Sequence, residues 1–287
     1  PLWQSLGGFD ELFAPAYYED TDLCFQVRAA GYKVVYQPSA TVVHYEGVSN
    51  GTDLGSGQKQ YQVINAERFA AKWAAELAAK HLPNGAHVPW ARSRSQQQRC
   101  ILIIDHYVPH YDKDAGSRST WMYVEALVSA GYRVQFMGAN FFPHQPYTEA
   151  LQQLGVEVLV GEHIARHLEK WLLENLPYVD HILLHRPHIA EQFLPTLRLA
   201  LAKLEAPPAI TYFGHDLHFL RTQREAALSG DLKLAKEADK WREREFAVFA
   251  QVDNVVYFSD TEAQEIKRID PQQSVHTVPL YVLDTLV

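Results

Sequence analysis

A succession of short apolar runs marks residues 99–287: "CILIIDHY", "RVQFMG", "GVEVLVG", "HILLHRP", "PAITYFGHD" and "NVVYFSD". Their length and their Val, Ile, Tyr and Phe content read as strands buried on both faces. Helical segments such as "EHIARHLEKWLLENL" and "IAEQFLPTLRLALAKL" separate most of them. Parallel strands need such crossover helices, so the pattern predicts an α/β fold with a doubly wound parallel sheet. Ligands of such sheets bind beyond the carboxyl ends of the strands. The polar punctuation falls there: Asp105-His106, His185-Arg186, His215-Asp216 and Ser259-Asp260.

Residues 1–98 read differently. "LWQSLGGFDELF" is a short helix, a Gly7-Gly8 turn and a loop. Residues 21–30 repeat Leu23, Val27 and Ala30 at helical spacing, and Gly31 is a helix stop. "YKVVYQ" and "ATVVHYEG" read as short strands around Pro38-Ser39. From Gly57 to Leu82 the chain is alanine-rich and helical, with Ile64, Phe69, Trp73 and Leu77 near one face that is expected to pack on a neighbouring domain. "PNGAHVPWARSRSQQQR" has the character of a linker.

The composition narrows the function classes. A length of 287 residues allows more than one core. A net charge of −8 and the lack of any Lys/Arg block argue against a nucleic-acid partner. Cys24 and Cys100 form no disulfide framework and suit a reducing compartment. No apolar run reaches the ~18 residues of a membrane span, and no signal peptide is visible. The chain starts at Pro1, inside what reads as a helix, so a fragment of a longer protein is expected.

Glu19, Asp20 and Asp22 crowd the start of a helix, directly after Tyr17 and Tyr18. Carboxylates there suit the positive end of the helix dipole, which is a sufficient reading for Asp22. A carboxylate beside an aromatic wall also suits a general base. The set "W…GGFDE…EDxDL…R…G…H", from Trp3 through Arg28 and Gly31 to His44, resembles the C-terminal part of the catalytic domain in family-2 glycosyltransferases, the inverting GT-A type. That resemblance implies Asp20 as the base that deprotonates the acceptor hydroxyl, with Glu19 as its neighbour. It implies His44 as a ligand of a divalent cation, Mg or Mn, on the donor diphosphate. Arg28 reads as a partner for an acidic neighbour, and the tyrosines suit an acceptor site or simple packing. The nucleotide-binding half of such a domain, with its Asp-x-Asp motif, is not among these residues.

From Arg99 onward, "ILIIDHYVPHYDKDAGSRS", "TYFGHDLHFLRTQRE" and "WREREFAVFAQVDNVVYFSDTEAQEI" resemble the N-terminal Rossmann-like domain of family-4 glycosyltransferases, the retaining GT-B type. The resemblance implies that Gly116, with Ser117 and Arg118 at the following helix start, approaches the donor phosphates. It puts His215 against the transferred sugar, extended by Asp216, His218 and Arg221, with His185 and Arg186 on the same edge. The plain readings stand beside these: Gly116 as a turn, Arg221 on a solvated helix face, and Trp121, Met122 and Leu127 as core. His106, His110, His181, His185, His188 and His215 fit no standard zinc spacing, and no cofactor is expected for this part. "DHYVPHYDKDAGSRS" also lacks the G-x-G-x-x-G of a dinucleotide-binding oxidoreductase.

The sequence is thus identified as a segment of a multidomain bacterial glycosyltransferase. Residues 1–56 are the C-terminal piece of a GT-A domain, 57–98 a helix and linker, and 99–287 the N-terminal domain of a GT-B enzyme. The expected partners are a nucleotide-sugar donor, a glycan acceptor and flanking domains of the same chain. The expected location is cytoplasmic, with a peripheral place at the inner membrane face left open. The isolated segment is expected to be inactive. The rival reading is a non-catalytic module that binds a glycan or a partner enzyme.

Overall fold

The structure, a computed structural model, describes residues 1–35, 40–43, 53–83, 85–86, 88–91 and 98–282. It divides into two compact units, Pro1–Gln97 and Gln98–Val287.

The first unit is helical among its described residues: α1 (Leu2–Leu6), α2 (Glu19–Ala29), α3 (Gln60–Lys72), α4 (Ala74–Lys80) and α5 (Val88–Ala91). Gly31 ends α2 with a φ of 85°, a conformation glycine adopts without strain. Phe13, Phe25 and Phe69 are buried together, with Tyr18, Trp73 and Leu77 against them. The face of α3 carrying Phe69 therefore packs on α2 inside its own unit. Ile64, expected on that face, is 38% exposed. The strands read at "YKVVYQ" and "ATVVHYEG" do not appear among their described residues, 32–35 and 40–43. Val34, Val35, Val42 and Val43 are exposed there, and β-branched residues make a strand only where another backbone pairs with them. The expected linker is interrupted by α5.

The second unit is the doubly wound sheet. Its strands are β1 (Cys100–Asp105), β2 (Arg133–Gly138), β3 (Glu157–Leu159), β4 (His181–His185), β5 (Ala209–Phe213), β6 (Asn254–Tyr257) and β7 (Val275–Thr277). They lie in the order β3-β2-β1-β4-β5-β6-β7, and every neighbouring pair is parallel. Helices α6 (Ala115–Ser129), α7 (Tyr147–Gln153), α8 (Glu162–Arg166), α9 (Leu168–Asn175), α10 (Pro187–Leu201), α11 (His218–Ser229), α12 (Leu232–Phe249) and α13 (Asp260–Ile269) make the connections. Every residue of β1 and β2 is buried, as continuous apolar runs in a covered parallel sheet require. Ile101, Ile103, Val124, Val134, Phe136 and Leu151 belong to one core cluster. Edge strand β7 was not legible in the sequence: of "VHT" only Val275 is buried.

The winding reverses between β1 and β4. The chain runs outward from β1 to β3, then restarts at β4 and runs the other way. The loops after β1 and β4 therefore part and leave a crevice at their carboxyl ends, the usual place for a ligand.

Gly214 directly follows β5. A Cβ there would lie 2.3 Å from the ring of Tyr257, which is fully buried. Gly214→Ala is therefore expected to destabilise the second unit by about 1–3 kcal/mol through overpacking, read as a fall in its thermal midpoint. An unchanged midpoint would contradict this packing.

Candidate functional site

In the first unit the loop entering α2 is held from α3. Asn65 is fully buried, and its Nδ2 donates to the carbonyls of Phe13 at 2.8 Å, Ala16 at 2.8 Å and Tyr17 at 3.0 Å. One amide thus ties down the backbone just ahead of Glu19 and Asp20. Tyr17 and Tyr18 take φ values of 72° and 74°, unfavourable for side chains with a Cβ, and such conformations persist only where surroundings impose them. Asp20 is exposed, and its Oδ1 accepts from the Thr21 amide at 2.6 Å. Glu19 is half-buried, and its Oε2 is buried without a hydrogen-bond partner.

Asp22 is not the exposed helix-start charge that its position suggested. It is fully buried, and Lys72 Nζ lies 2.7 Å from its Oδ1. Trp73 Nε1 donates to it at 2.7 Å and Gln26 Nε2 at 2.5 Å. Lys72 also reaches Asp10 at 2.7 Å. Asp22 is thus a tether between α2 and α3. The guanidinium of Arg28 lies 4.3 Å from the centre of the Phe25 ring. His44, the expected cation ligand, lies outside the described residues. Among the described residues this unit gathers no set of three His, Cys, Asp or Glu ligand atoms, so they do not by themselves form a cation site.

In the second unit the loops after β1, β4 and β5 meet at the crevice. Asp105 ends β1 and is 2% exposed. Its Oδ1 accepts from Arg186 Nε at 2.7 Å and from the His106 amide at 2.7 Å. Its Oδ2 accepts from Thr120 Oγ1 of α6 at 3.2 Å and lies 3.5 Å from His185 Nδ1. His185 ends β4, is buried, and stacks on Phe213 at 4.7 Å. Its Nδ1 is 3.1 Å from Nε2 of His215. Arg186 takes a φ of 60° and a ψ of 140°, a region nearly restricted to glycine, costing about 1–3 kcal/mol. In this conformation its Nε lies 2.7 Å from Asp105 Oδ1.

Gly116 faces this cluster from the first turn of α6. A Cβ on it would lie 3.1 Å from Arg186 Nη2, 3.4 Å from Asp114 Oδ1 and 3.5 Å from His215 Nδ1. The absent side chain keeps this notch open. Asp114 caps α6, accepting from the Ser117 amide at 2.7 Å and the Ser117 hydroxyl at 2.7 Å. Ser117 is thereby buried and occupied as a cap, and Arg118 is exposed with its guanidinium 5.9 Å from the Tyr281 ring.

Burial opposes a charge on Asp105, but His185, Arg186, His215 and the His106 amide outweigh it and hold the carboxyl well below the usual range. Burial pushes the His185 imidazole down to about 4, against the pull of Asp105. Burial, reinforced by His185, pushes His215 down to about 3. Both rings are neutral at pH 7, so Arg186 is the cation that balances Asp105. Asp105, His185 and His215 offer ligand atoms within 4.8 Å of one another. The guanidinium on Asp105 already supplies the positive charge that a metal would bring.

The structure therefore brings Gly116, His185, Arg186 and His215 together around Asp105, read from the sequence as polar punctuation at this edge but not as a site residue, and adds Asp114. The signal for Asp105 was present, since it closes the first apolar strand. Asp216, expected to act with His215, is bonded instead to Arg221 one helical turn on. His218 stacks on Trp241 at 4.4 Å and bonds to the buried Glu245, which also accepts the amides of His218 and Phe219. It serves the start of α11 rather than the notch. Asn65 carried a fainter signal: a polar residue one turn before Phe69 on the face of α3 that packs.

No protein family model matches the chain. It is 38% identical over 76 residues, 25% of its length, to the N-acetylglucosaminyl-diphospho-decaprenol L-rhamnosyltransferase of two Mycobacterium tuberculosis strains. It is 40% identical over 50 residues to the uncharacterized protein y4gI of Sinorhizobium fredii. Part of the chain is therefore related to a glycosyltransferase. The chain spans 24% of the length of the rhamnosyltransferase and 6% of that of y4gI. No described helix is long and apolar enough to cross a membrane.

Two outcomes check these assignments. Asp22→Asn should destabilise the first unit by about 1–3 kcal/mol, because the buried group at this position loses its charge-assisted bonds to Lys72 and Trp73 while Lys72, partly exposed, keeps Asp10. Asp20→Asn should change its thermal midpoint little, and equal losses in both variants would contradict the separation of roles. In the second unit, unfolding frees imidazoles that are protonated below pH 6.5, while the folded forms resist protonation down to about 4 and about 3. The unfolded chain then binds more protons, so stability should fall as pH drops from 6.5 toward 4, by up to about 1.4 kcal/mol per pH unit for each ring. His185→Gln should flatten the thermal midpoint against pH, and a flat wild-type profile would contradict the neutral pair.

Proposed function

We propose that the chain is part of a multidomain glycosyltransferase that moves sugars from nucleotide-sugar donors to a growing glycan, such as a bacterial surface polysaccharide. The observation that carries this reading is the sequence identity shared with a rhamnosyltransferase. In the first unit, Asp20 is the general base that takes the proton of the acceptor hydroxyl as it attacks the anomeric carbon. Glu19 stands beside it, and Asn65 holds the loop that carries both. The unit is the C-terminal piece of a GT-A domain in this reading. A divalent cation would neutralise the leaving diphosphate, with His44 among its ligands and the rest supplied by the nucleotide-binding half.

The second unit is the N-terminal half of a GT-B enzyme in the same reading. Its crevice at the carboxyl ends of β1, β4 and β5 offers Gly116, Arg186 and His215 to donor or acceptor. The nucleotide is held by a further domain. The 287 residues alone then lack what holds the donor, and no turnover is expected from them. The protein works at the cytoplasmic side of the envelope.

The test is to assay a longer chain that contains both flanking halves. Asp20→Asn should slow one transfer by about 10²–10⁴-fold and leave the other unchanged, while His215→Ala should do the reverse. Full activity of the Asp20 variant in both transfers would reject the assignment of the base. Turnover by the 287-residue chain alone would reject the division of labour.

A further inference from the structure

Two exposed histidines meet at the crevice from loops far apart in the chain. His106 follows β1, and His188 lies in the first turn of α10, after β4. His106 Nδ1 is 3.2 Å from His188 Nε2, and the ring centres are 5.2 Å apart with the planes at 75°. The buried acid beside them fixes both backbones. Asp105 Oδ1 accepts the His106 amide at 2.7 Å, and it accepts Nε of Arg186, two residues before His188, at 2.7 Å. A tetrahedral zinc ion with Zn–N bonds of about 2.0–2.1 Å holds two imidazole nitrogens about 3.3–3.4 Å apart, with the ring centres about 5.2 Å apart. The observed pair is within a small side-chain rotation of that arrangement.

We propose that His106 and His188 form a chelating site for a divalent first-row transition ion, zinc above all, that clasps the loop after β1 to the start of α10. Imidazole suits zinc, nickel and copper ions, whereas magnesium and calcium take oxygen ligands. A hydrogen bond between the two rings is the plainer reading. Exposed imidazoles lose little by turning to water instead, so that bond alone gives small reason for the pairing. A chelated ion gains more, because the second ligand is already in place when the first binds. The two remaining positions of the ion go to water or to an oxygen of whatever occupies the crevice. His185 and His215 have a similar nitrogen spacing of 3.1 Å, but there Arg186 already engages the neighbouring Asp105. His106 and His188 are 82 positions apart, so no sequence spacing could announce them. Their clasp joins the same two strand ends as the pair Asp105 and Arg186, and an ion held there would stiffen the crevice.

The site is independent of any transfer activity. Zinc chloride titrated into the full chain at pH 7 should bind by calorimetry, and histidine ring ¹⁵N spectra should place the ion on Nδ1 of His106 and Nε2 of His188. His106→Gln and His188→Gln should each weaken this binding by about 10²–10⁴-fold, and the double variant should lose little more than either alone. Zinc should slow hydrogen exchange of the β1 and β4 amides in the wild type and not in the variants, and magnesium chloride should do neither. Zinc affinity unchanged in either variant would overturn the chelate. So would losses that simply add in the double variant, because the two histidines would then bind independently. Wild-type spectra in which zinc leaves the His106 and His188 ring signals in place would overturn it even if a variant failed to fold. An equal response to magnesium would point to oxygen ligands elsewhere and reject the imidazole pair.

Discussion

The crevice of the second unit depends on the buried contact between Asp105 and Arg186. Burying a carboxylate costs several kcal/mol unless a partner and further donors compensate. Here the compensation comes from different elements at once: the guanidinium from the end of β4, the His106 amide after β1, and the Thr120 hydroxyl from α6. These elements flank the point where the sheet reverses its winding. One charge pair therefore bridges the ends of β1 and β4 at that point. It also engages the side chain of a residue whose backbone sits at a positive φ of 60°.

The first unit uses the same device for a different end. Asp22 and Lys72 join α2 to α3, with Trp73 and Gln26 completing the carboxylate. Asn65, two helical turns before Lys72, fixes the carbonyls that lead into Glu19 and Asp20. Of the acidic residues crowded at this helix start, Asp22 holds the fold, while Asp20 is exposed and Glu19 half-buried. Asp22 looks like a solvated charge within its own segment, and it is not one because its α3 partner comes from fifty residues later in the chain.

The same distance effect explains what could be read beforehand. The sheet was legible because each buried strand is a continuous apolar run, a local property of "CILIID" or "HILLH". The strands expected at "YKVVYQ" and "ATVVHYEG" show the converse, since β-branched residues there found no pairing backbone among the described residues. Gly116, His185, Arg186 and His215 were legible as a group because loops after parallel strands converge. The choice of acid was not: Asp216 is next to His215 in sequence, but α11 begins there and gives it Arg221, while Asp105 arrives through the strand order.

Because the pair couples β1 to β4, its strength should appear as an interaction energy rather than as two separate losses. The direct measurement is a double-mutant cycle with Asp105→Asn, Arg186→Gln and both together, read as hydrogen-exchange free energies of the β1 and β4 amides in the full chain. Contact pairs typically couple by about 0.5–3 kcal/mol, and a value in the upper half of that range is expected here. Additivity within about 0.3–0.5 kcal/mol would contradict the account, because Asp105 and Arg186 would then stabilise the crevice independently.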